Sequence, residues 1–396
     1  MFKKNFGNTI VAASLGYVTQ AIMLNFPPLL FVFFQEKLGL SLAEVSTLIS
    51  ANFITELIVD AVISKTASKI GYRPLVITAD ICAALGLLSM FILPTLLANK
   101  FVALILSMIL CGLGGGLMEV LISPIVEACP TKNKSAIMSL LHSFYCWGQV
   151  AVVLISTVFF LIFSIEDWAY LAVFWTLIPV FDLILFTFVP LNSLVEEGKE
   201  EKLICLMKKG IFWILILMML CAGASELAMS QWASAFAEDA LGVEKWLGDL
   251  LGPCLFAVMM GIARVFYAKN AEKINLKKGI LLSSLICIAS YLIAIFAPFP
   301  IFSLLGCALC GIGCGLLWPG SYSIASERIP RGGVLLFGVL ALAGDGGALL
   351  GPSITGFVAS SFDGSLKAGF IAALIFPTVL AIITLVMILK DKKRDK

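Results

Sequence analysis

Of the 27 lysines and arginines in this 396-residue chain, all but Lys37, Lys100, Lys245 and Lys367 fall in every second turn between long apolar segments. The basic turns hold Lys3 and Lys4; Lys65, Lys69 and Arg73; Lys132 and Lys134; Lys199 to Lys209; Lys269 to Lys278; Arg328 and Arg331; and Lys390 to Lys396, with Arg264 just inside the fifth group. Cationic loops stay on the cytoplasmic side of a membrane, so this alternation sets both the number of crossings and their direction. It predicts twelve spans with both ends in the cytoplasm, over residues 8–35, 41–65, 74–97, 101–128, 135–163, 168–190, 209–237, 246–268, 279–297, 300–326, 332–361 and 366–389.

Composition agrees: 60% of residues are apolar and 13% charged, which excludes a soluble domain. An apolar run of about 20 residues crosses a bilayer as a helix, and twelve such runs leave no room for a catalytic domain outside the membrane. The apolar stretch that starts at Thr9 runs too long for the core of a signal peptide and is expected to remain as the first span. The eleven cysteines lie mostly within spans. Cys307, Cys310 and Cys314 share one helix, but the only histidine, His142, is on another span and no further donor is evident. These cysteines are read as small packing residues, with no metal site and no disulfide framework expected.

The longest polar stretch, Asn192 to Lys209, divides the chain near its middle. It predicts a first bundle over 1–191, a cytoplasmic linker over 192–208 and a second bundle over 209–396. The halves repeat. Ser64-Lys-Thr-Ala-Ser-Lys-Ile70 matches Ala268-Lys-Asn-Ala-Glu-Lys-Ile274 at an offset of 204, and Cys111-Gly-Leu-Gly-Gly-Gly-Leu117 matches Cys310-Gly-Ile-Gly-Cys-Gly-Leu316 at an offset of 199. Parallel six-span repeats resemble the major facilitator superfamily, in which two halves rock about a site at mid-membrane. The turn after span 2 carries part of that family's signature, with Lys69, Gly71 and Arg73 in place but Ser64 and Ser68 where the signature has Gly and Asp. The fold expected is an all-α membrane protein, twelve transmembrane helices in two pseudo-symmetric six-helix bundles.

A charge at membrane depth costs about 2.5–3.5 kcal/mol even on a mild insertion scale, so each one calls for a reason. Glu56, Asp60, Glu119, Asp182, Glu226 and Asp345 lie well inside spans, against Arg264 and the titratable His142. The excess of acid points to carboxyls that carry a proton, with Glu119, Glu226, Asp345 and Glu56 as the coupling candidates. Gly112, Gly116, Glu119 and Ser123 fall within about 60° on a helical wheel, which puts Glu119 on the packed face of span 4, roughly 14 Å from its cytoplasmic end.

The segment Gly112-Leu-Gly-Gly-Gly-Leu-Met-Glu119-Val-Leu-Ile-Ser-Pro124 resembles span 4 of the fucose:proton symporter family. Leu140-Leu-His142-Ser-Phe144-Tyr-Cys-Trp-Gly148 in span 5, and Glu226 with Trp232 in span 7, are similar to segments of its sugar-transporting relatives. The resemblance implies proton-coupled sugar uptake with Glu119 as the protonatable acid, and it implies no cofactor. Span 1 departs from the family: it reads Asn25-Phe26-Pro27-Pro28 where those symporters carry a second carboxylate. Pro27 and Pro28 interrupt helix hydrogen bonding, and an irregular helix beside polar groups often marks a transporter site.

A sugar needs amides, other hydrogen-bonding groups and flat aromatic faces. The substrate-binding candidates are Gln20, Asn25, Asn52, His142, Tyr145, Gln149, Gln231, Trp232 and Trp318, the last being the repeat partner of Glu119. Trp147 and Trp168, near span ends, read as interfacial anchors. Asp60 and Arg264 correspond under the repeat and, with Lys69 and Arg73, are the gating candidates. Asp345 precedes Gly346-Gly347-Ala-Leu-Leu-Gly351-Pro352 in span 11, whereas drug:proton antiporters carry their Gly-Pro motif in span 5.

The sequence therefore predicts alternating-access transport of a small molecule, a sugar above all, by a monomer in the plasma (inner) membrane. Proton-coupled efflux of a cationic drug or metabolite, and uncoupled sugar diffusion, remain as alternatives. No nucleic-acid partner is expected, and no nucleophile–base pair suggests an enzyme.

Overall fold

The computed structural model describes residues 5–194, 201–241 and 250–394, and no described residue lies in a β-strand. Lys3, Lys4, the whole charged stretch from Glu196 to Glu200, Lys245 and Lys396 fall outside the described residues. The chain forms α1 (Phe6–Leu29), α2 (Leu42–Ile70), α3 (Tyr72–Leu96), α4 (Lys100–Glu127), α5 (Lys134–Ile162) and α6 (Trp168–Phe188). The second half forms α7 (Gly210–Leu241), α8 (Leu255–Asn270), α9 (Leu276–Phe296), α10 in two segments (Pro300–Cys314 and Leu317–Arg328), α11 (Gly333–Ser361) and α12 in two segments (Leu366–Ala373 and Ile375–Arg394). Among the described residues, eleven helices are long and apolar enough to cross a membrane. The other long helix, α2, has 29 residues and spans roughly 44 Å by helical rise, ample for the twelfth crossing.

Polar residues set the helix starts. Asn5, Asn99 and Asn275 each accept a backbone N–H of the first turn with the side-chain oxygen. Ser41 and Glu44 form a reciprocal capping box on α2, the arrangement that satisfies two donors at once. Between α2 and α3 a single residue, Gly71, turns the chain at φ 91°, a conformation that a Cβ disfavours. Arg73, one residue into α3, donates to the carbonyls of Phe186 (2.6 Å), Thr187 (2.6 Å) and Val189 (2.7 Å) at the end of α6. It caps a helix terminus whose carbonyls have no other partner within the helix.

Two compact units result. The first comprises Met1–Pro130, Trp147–Glu200 and Gly333–Gly338; the second comprises Thr131–Cys146, Glu201–Gly332 and Val339–Lys396. Each takes most of one sequence half, and the dividing points fall inside α5 and α11 as well as near the linker.

Glycine spacing decides the packing, and it does so twice. On α4, a Cβ at Gly112 would lie 2.7 Å from the Asn52 carbonyl oxygen on α2, and one at Gly114 would lie 2.8 Å from the Ala83 nitrogen on α3. On α10, Gly311 packs directly on the backbone of Phe256 on α8, and a Cβ at Gly313 would lie 2.7 Å from the Cys287 nitrogen on α9. The repeat read at an offset of 199 is thus a repeat of backbone contacts: each inner helix touches two neighbours through alternate glycines, as close helix packing in membranes requires. Gly347 on α11 makes a further such contact, on the carbonyl of Leu220 in α7. Gly347→Ala should destabilise the second unit by about 1–3 kcal/mol, read as a lower midpoint of thermal unfolding in detergent; an unchanged midpoint would mean that α7 and α11 can separate without cost.

The first unit's core joins Phe26, Leu30 and Phe34 to Leu104, Met108 and Trp175. Trp168 belongs to it, 6% exposed with Phe33, Phe34 and Phe91 at centroid distances of 6.1, 5.9 and 6.3 Å. It is a core residue, not the interfacial anchor its place at a span end suggested; the short helix Phe31–Leu38, which follows α1 after a break at Leu30, supplies Phe33 and Phe34, and α3 supplies Phe91. The helix break expected from Pro27 and Pro28 falls just past both prolines. In the second unit, Asp391 on α12 pairs with Lys277 on α9 (2.5 Å) and Arg328 on α10 (2.7 Å), tying three helix ends together.

Candidate functional site

In the first unit the polar groups converge on α1 and α4. Gln20 donates its side-chain N–H to the Glu119 carboxylate at 2.9 Å, and Gln20 is only 4% exposed. One turn away on the same two helices, the Tyr17 and Ser123 hydroxyls share a hydrogen bond of 2.7 Å. The two contacts make a short polar seam: Tyr17 and Gln20 are three residues apart on α1, Glu119 and Ser123 four apart on α4, so both pairs face each other. Tyr17 was not among the sequence candidates, although its spacing from Gln20 marks it. Glu56, buried on α2, accepts from Asn52 at 3.2 Å, and its carboxylate lies over Gly115, where a Cβ would be 2.8 Å from Oε1.

In the second unit the centre is Arg264 on α8, 3% exposed. Its Nε donates to the Gly315 carbonyl at 3.0 Å. Nη1 donates to the His142 carbonyl at 2.8 Å and to the Cys146 sulfur at 3.0 Å. Nη2 lies 3.6 Å from the Glu226 carboxylate, an ion-pair separation. The Gly315 contact has a definite cause. In a regular helix that carbonyl accepts the N–H of residue 319, and residue 319 is proline, which has none. Helix α10 is interrupted at Gly315 and Leu316, and the guanidinium supplies the missing donor. The pair Trp318-Pro319 carried that signal in the sequence, unread.

Around this centre the His142 and Tyr322 rings lie 5.8 Å apart and Trp318 and Tyr322 6.4 Å apart. Ser139 donates to the Arg264 carbonyl at 2.9 Å. One buried residue therefore gathers α5, α7, α8 and α10, and beside it sits an aromatic wall. A fixed cation next to an acid, with indole, phenol and imidazole rings adjacent, can orient a polar substrate and respond to charge on it.

Other candidates are placed differently. The Asn25 amide donates back to its own helix at Ala21 (2.8 Å). Gln231 is exposed, and the Trp232 indole donates to the Pro352 carbonyl at 3.0 Å. Lys69 is exposed at the end of α2, while Asp60 is fully buried. Arg73 serves as the helix cap described above. Tyr145, Gln149 and Asp345 are half-buried on α5 and α11.

One acid escaped the sequence reading. Asp80 on α3 is fully buried, as is Asp182 on α6. The two are close enough to interact electrostatically, and neither accepts a hydrogen bond from a described residue. A Cβ at Gly16 on α1 would lie 3.3 Å from Asp182 Oδ2, so α1 closes over the pair. Burying an ionised carboxylate costs free energy unless it is paired and hydrogen-bonded.

No curated protein matches the sequence. Among solved structures, a fucose:proton symporter in the outward conformation superposes with a TM-score of 0.79 at 15% identity, covering 95% of this chain and 98% of the other; another crystal structure of that symporter, from E. coli, scores 0.77. A proton:xylose symporter bound to 6-bromo-6-deoxy-D-glucose scores 0.82 at 13% identity, covering 96% and 94%. A human organic anion transporter scores 0.74 at 14% identity, covering 96% and 99%. At these identities the likeness is one of fold. The family model described as Major Facilitator Superfamily matches residues 10–332 and again 250–396. A match over that much of the sequence makes the chain a member of the major facilitator superfamily, a multi-pass membrane transporter and not an enzyme.

Proposed function

We propose that the protein takes up a sugar together with a proton, in the plasma membrane, as a monomer with both ends in the cytoplasm. The observation that carries this reading is the Gln20–Glu119 contact of 2.9 Å. A carboxyl at that depth is costly when charged, and here it accepts a hydrogen bond from the Gln20 amide. Such an acid gains or loses a proton as the state of its surroundings changes, which is what coupling demands. The polar seam of Tyr17, Gln20, Glu119 and Ser123 offers donors and acceptors for the hydroxyls of a sugar. The sugar symporters among the structural neighbours support the same substrate class.

The test is direct. Proteoliposomes with a pH indicator inside should acidify when a transported monosaccharide is added outside, in proportion to sugar entry. Sugar uptake without acidification would leave an uncoupled facilitator. Uptake of none of a panel of monosaccharides would remove the substrate assignment.

A further inference from the structure

We infer that Cys287, Cys310 and Cys314 form a binding site for one trivalent thiophilic ion, with arsenite as its small-molecule form. Cys310 and Cys314 lie one turn apart on α10 and face the same way. The sequence offered no further donor for them. The fold supplies it from α9: the Cys287 sulfur lies 3.6 Å from that of Cys314, and those of Cys310 and Cys314 are 3.9 Å apart. All three sulfurs fall within 4.8 Å of one another, and all three residues are fully buried and free of disulfides. Gly313 makes this possible, since a Cβ there would stand 2.5 Å from the Cys287 sulfur.

The spacing suits a shared ion. Ion–sulfur bonds of about 2.3 Å with angles between pyramidal and planar hold sulfurs roughly 3.5–4 Å apart, so two of the three separations are already in place. Thiolate donors select soft ions. Burial then selects by charge. Three thiolates leave a net negative charge on a monovalent or divalent ion, and an uncompensated charge in an apolar interior costs several kcal/mol. Three thiolates and a trivalent ion sum to zero. The Arg264 guanidinium nearby already faces the Glu226 carboxylate at 3.6 Å, an acid that balances its positive charge before the sulfurs do.

The chemistry balances without an oxidant or reductant. Arsenite enters as the neutral trihydroxide. Three S–H and three As–O bonds break, three As–S bonds form, and three waters leave. No ion has to cross apolar packing. Occupancy would join α9 to α10 one residue before the interruption at Gly315, and so stiffen the second unit where α10 bends.

Reduced full-length protein, purified in detergent and incubated with arsenite, should gain one arsenic and lose three hydrogens by intact mass, and X-ray absorption should count three sulfur neighbours around the arsenic. Cys287→Ser should weaken retention at least about tenfold, whereas Cys307→Ser, buried on the same helix outside the trio, should leave it unchanged. Zinc should not displace bound arsenic. A wild-type protein that retains no arsenic, that shows fewer than three sulfur neighbours, or that takes zinc in preference overturns the proposal, as does retention that survives Cys287→Ser. The wild-type mass and sulfur count need no variant to fold.

Discussion

Replacing Arg264 with alanine should cost the protein about 3–5 kcal/mol of stability, the penalty for breaking a buried ion pair from one side. The loss has identifiable parts. Glu226 would keep its place without the positive charge 3.6 Å away. The carbonyls of Gly315 and His142 would lose their side-chain donor, and the first of these has no helical donor to fall back on, because Pro319 cannot supply one. Lysine should rescue little. It keeps the charge but cannot spread donors over two carbonyls and a carboxylate as a planar guanidinium does. Removing both charges tests the account independently. Arg264→Met combined with Glu226→Gln should be more stable than Arg264→Met alone, since it leaves no buried charge unpaired. Thermal and denaturant unfolding of the purified protein would measure both. An Arg264→Ala protein within about 1 kcal/mol of the wild type, the size of an ordinary substitution, would show that the guanidinium is not what holds α5, α7, α8 and α10 together.

Glu119→Gln should abolish sugar accumulation driven by a pH gradient while sparing exchange of labelled for unlabelled sugar. Glutamine is nearly the same size, and its carbonyl oxygen can accept the Gln20 N–H that Glu119 accepts at 2.9 Å. The loss of a charge-assisted bond for a neutral one is worth only about 1 kcal/mol, so the protein should fold normally. What disappears is the proton. A permanently neutral side chain resembles the protonated, loaded carrier, which can reorient with substrate but cannot release a proton on the far side. Counterflow in proteoliposomes separates the two activities. If the variant still concentrates sugar in response to pH, coupling belongs to another acid, and the buried Asp80 and Asp182 would be the first to examine. If exchange is lost together with accumulation, Glu119 binds substrate and does not govern coupling alone.

Some of this was legible before any coordinates. The placement of lysine and arginine is a one-dimensional pattern that the membrane reads one turn at a time, so it needs no tertiary structure to interpret. Glycine spacing was nearly as informative: Gly112 and Gly311, and Gly114 and Gly313, recur at one offset because each pair performs the same backbone contact in its own unit. Glu119 could be aimed correctly because helix geometry relates it to glycines on the same helix. The Gln20–Glu119 contact itself was not derivable, since nothing on one helix tells which residue of its neighbour stands opposite.

What stayed hidden were pairings across helices. Asp80 sits in span 3 as a solitary acid, and only the approach of α6 reveals its partner Asp182. Arg264 looked like a gating charge near a helix end, whereas its partners include a carbonyl orphaned by a proline on another helix. Cys287 was one cysteine among eleven until α9 packed on Gly313. Periodicity, length and loop charge act within a helix or against the bilayer, and those the sequence determined by itself: twelve crossings, two repeated halves and the face on which Glu119 lies. Which side chains meet depends on how helices rotate and slide against each other. That is decided by close packing over many residues at once, and the tertiary structure alone brought together the arginine centre, the paired aspartates and the three sulfurs.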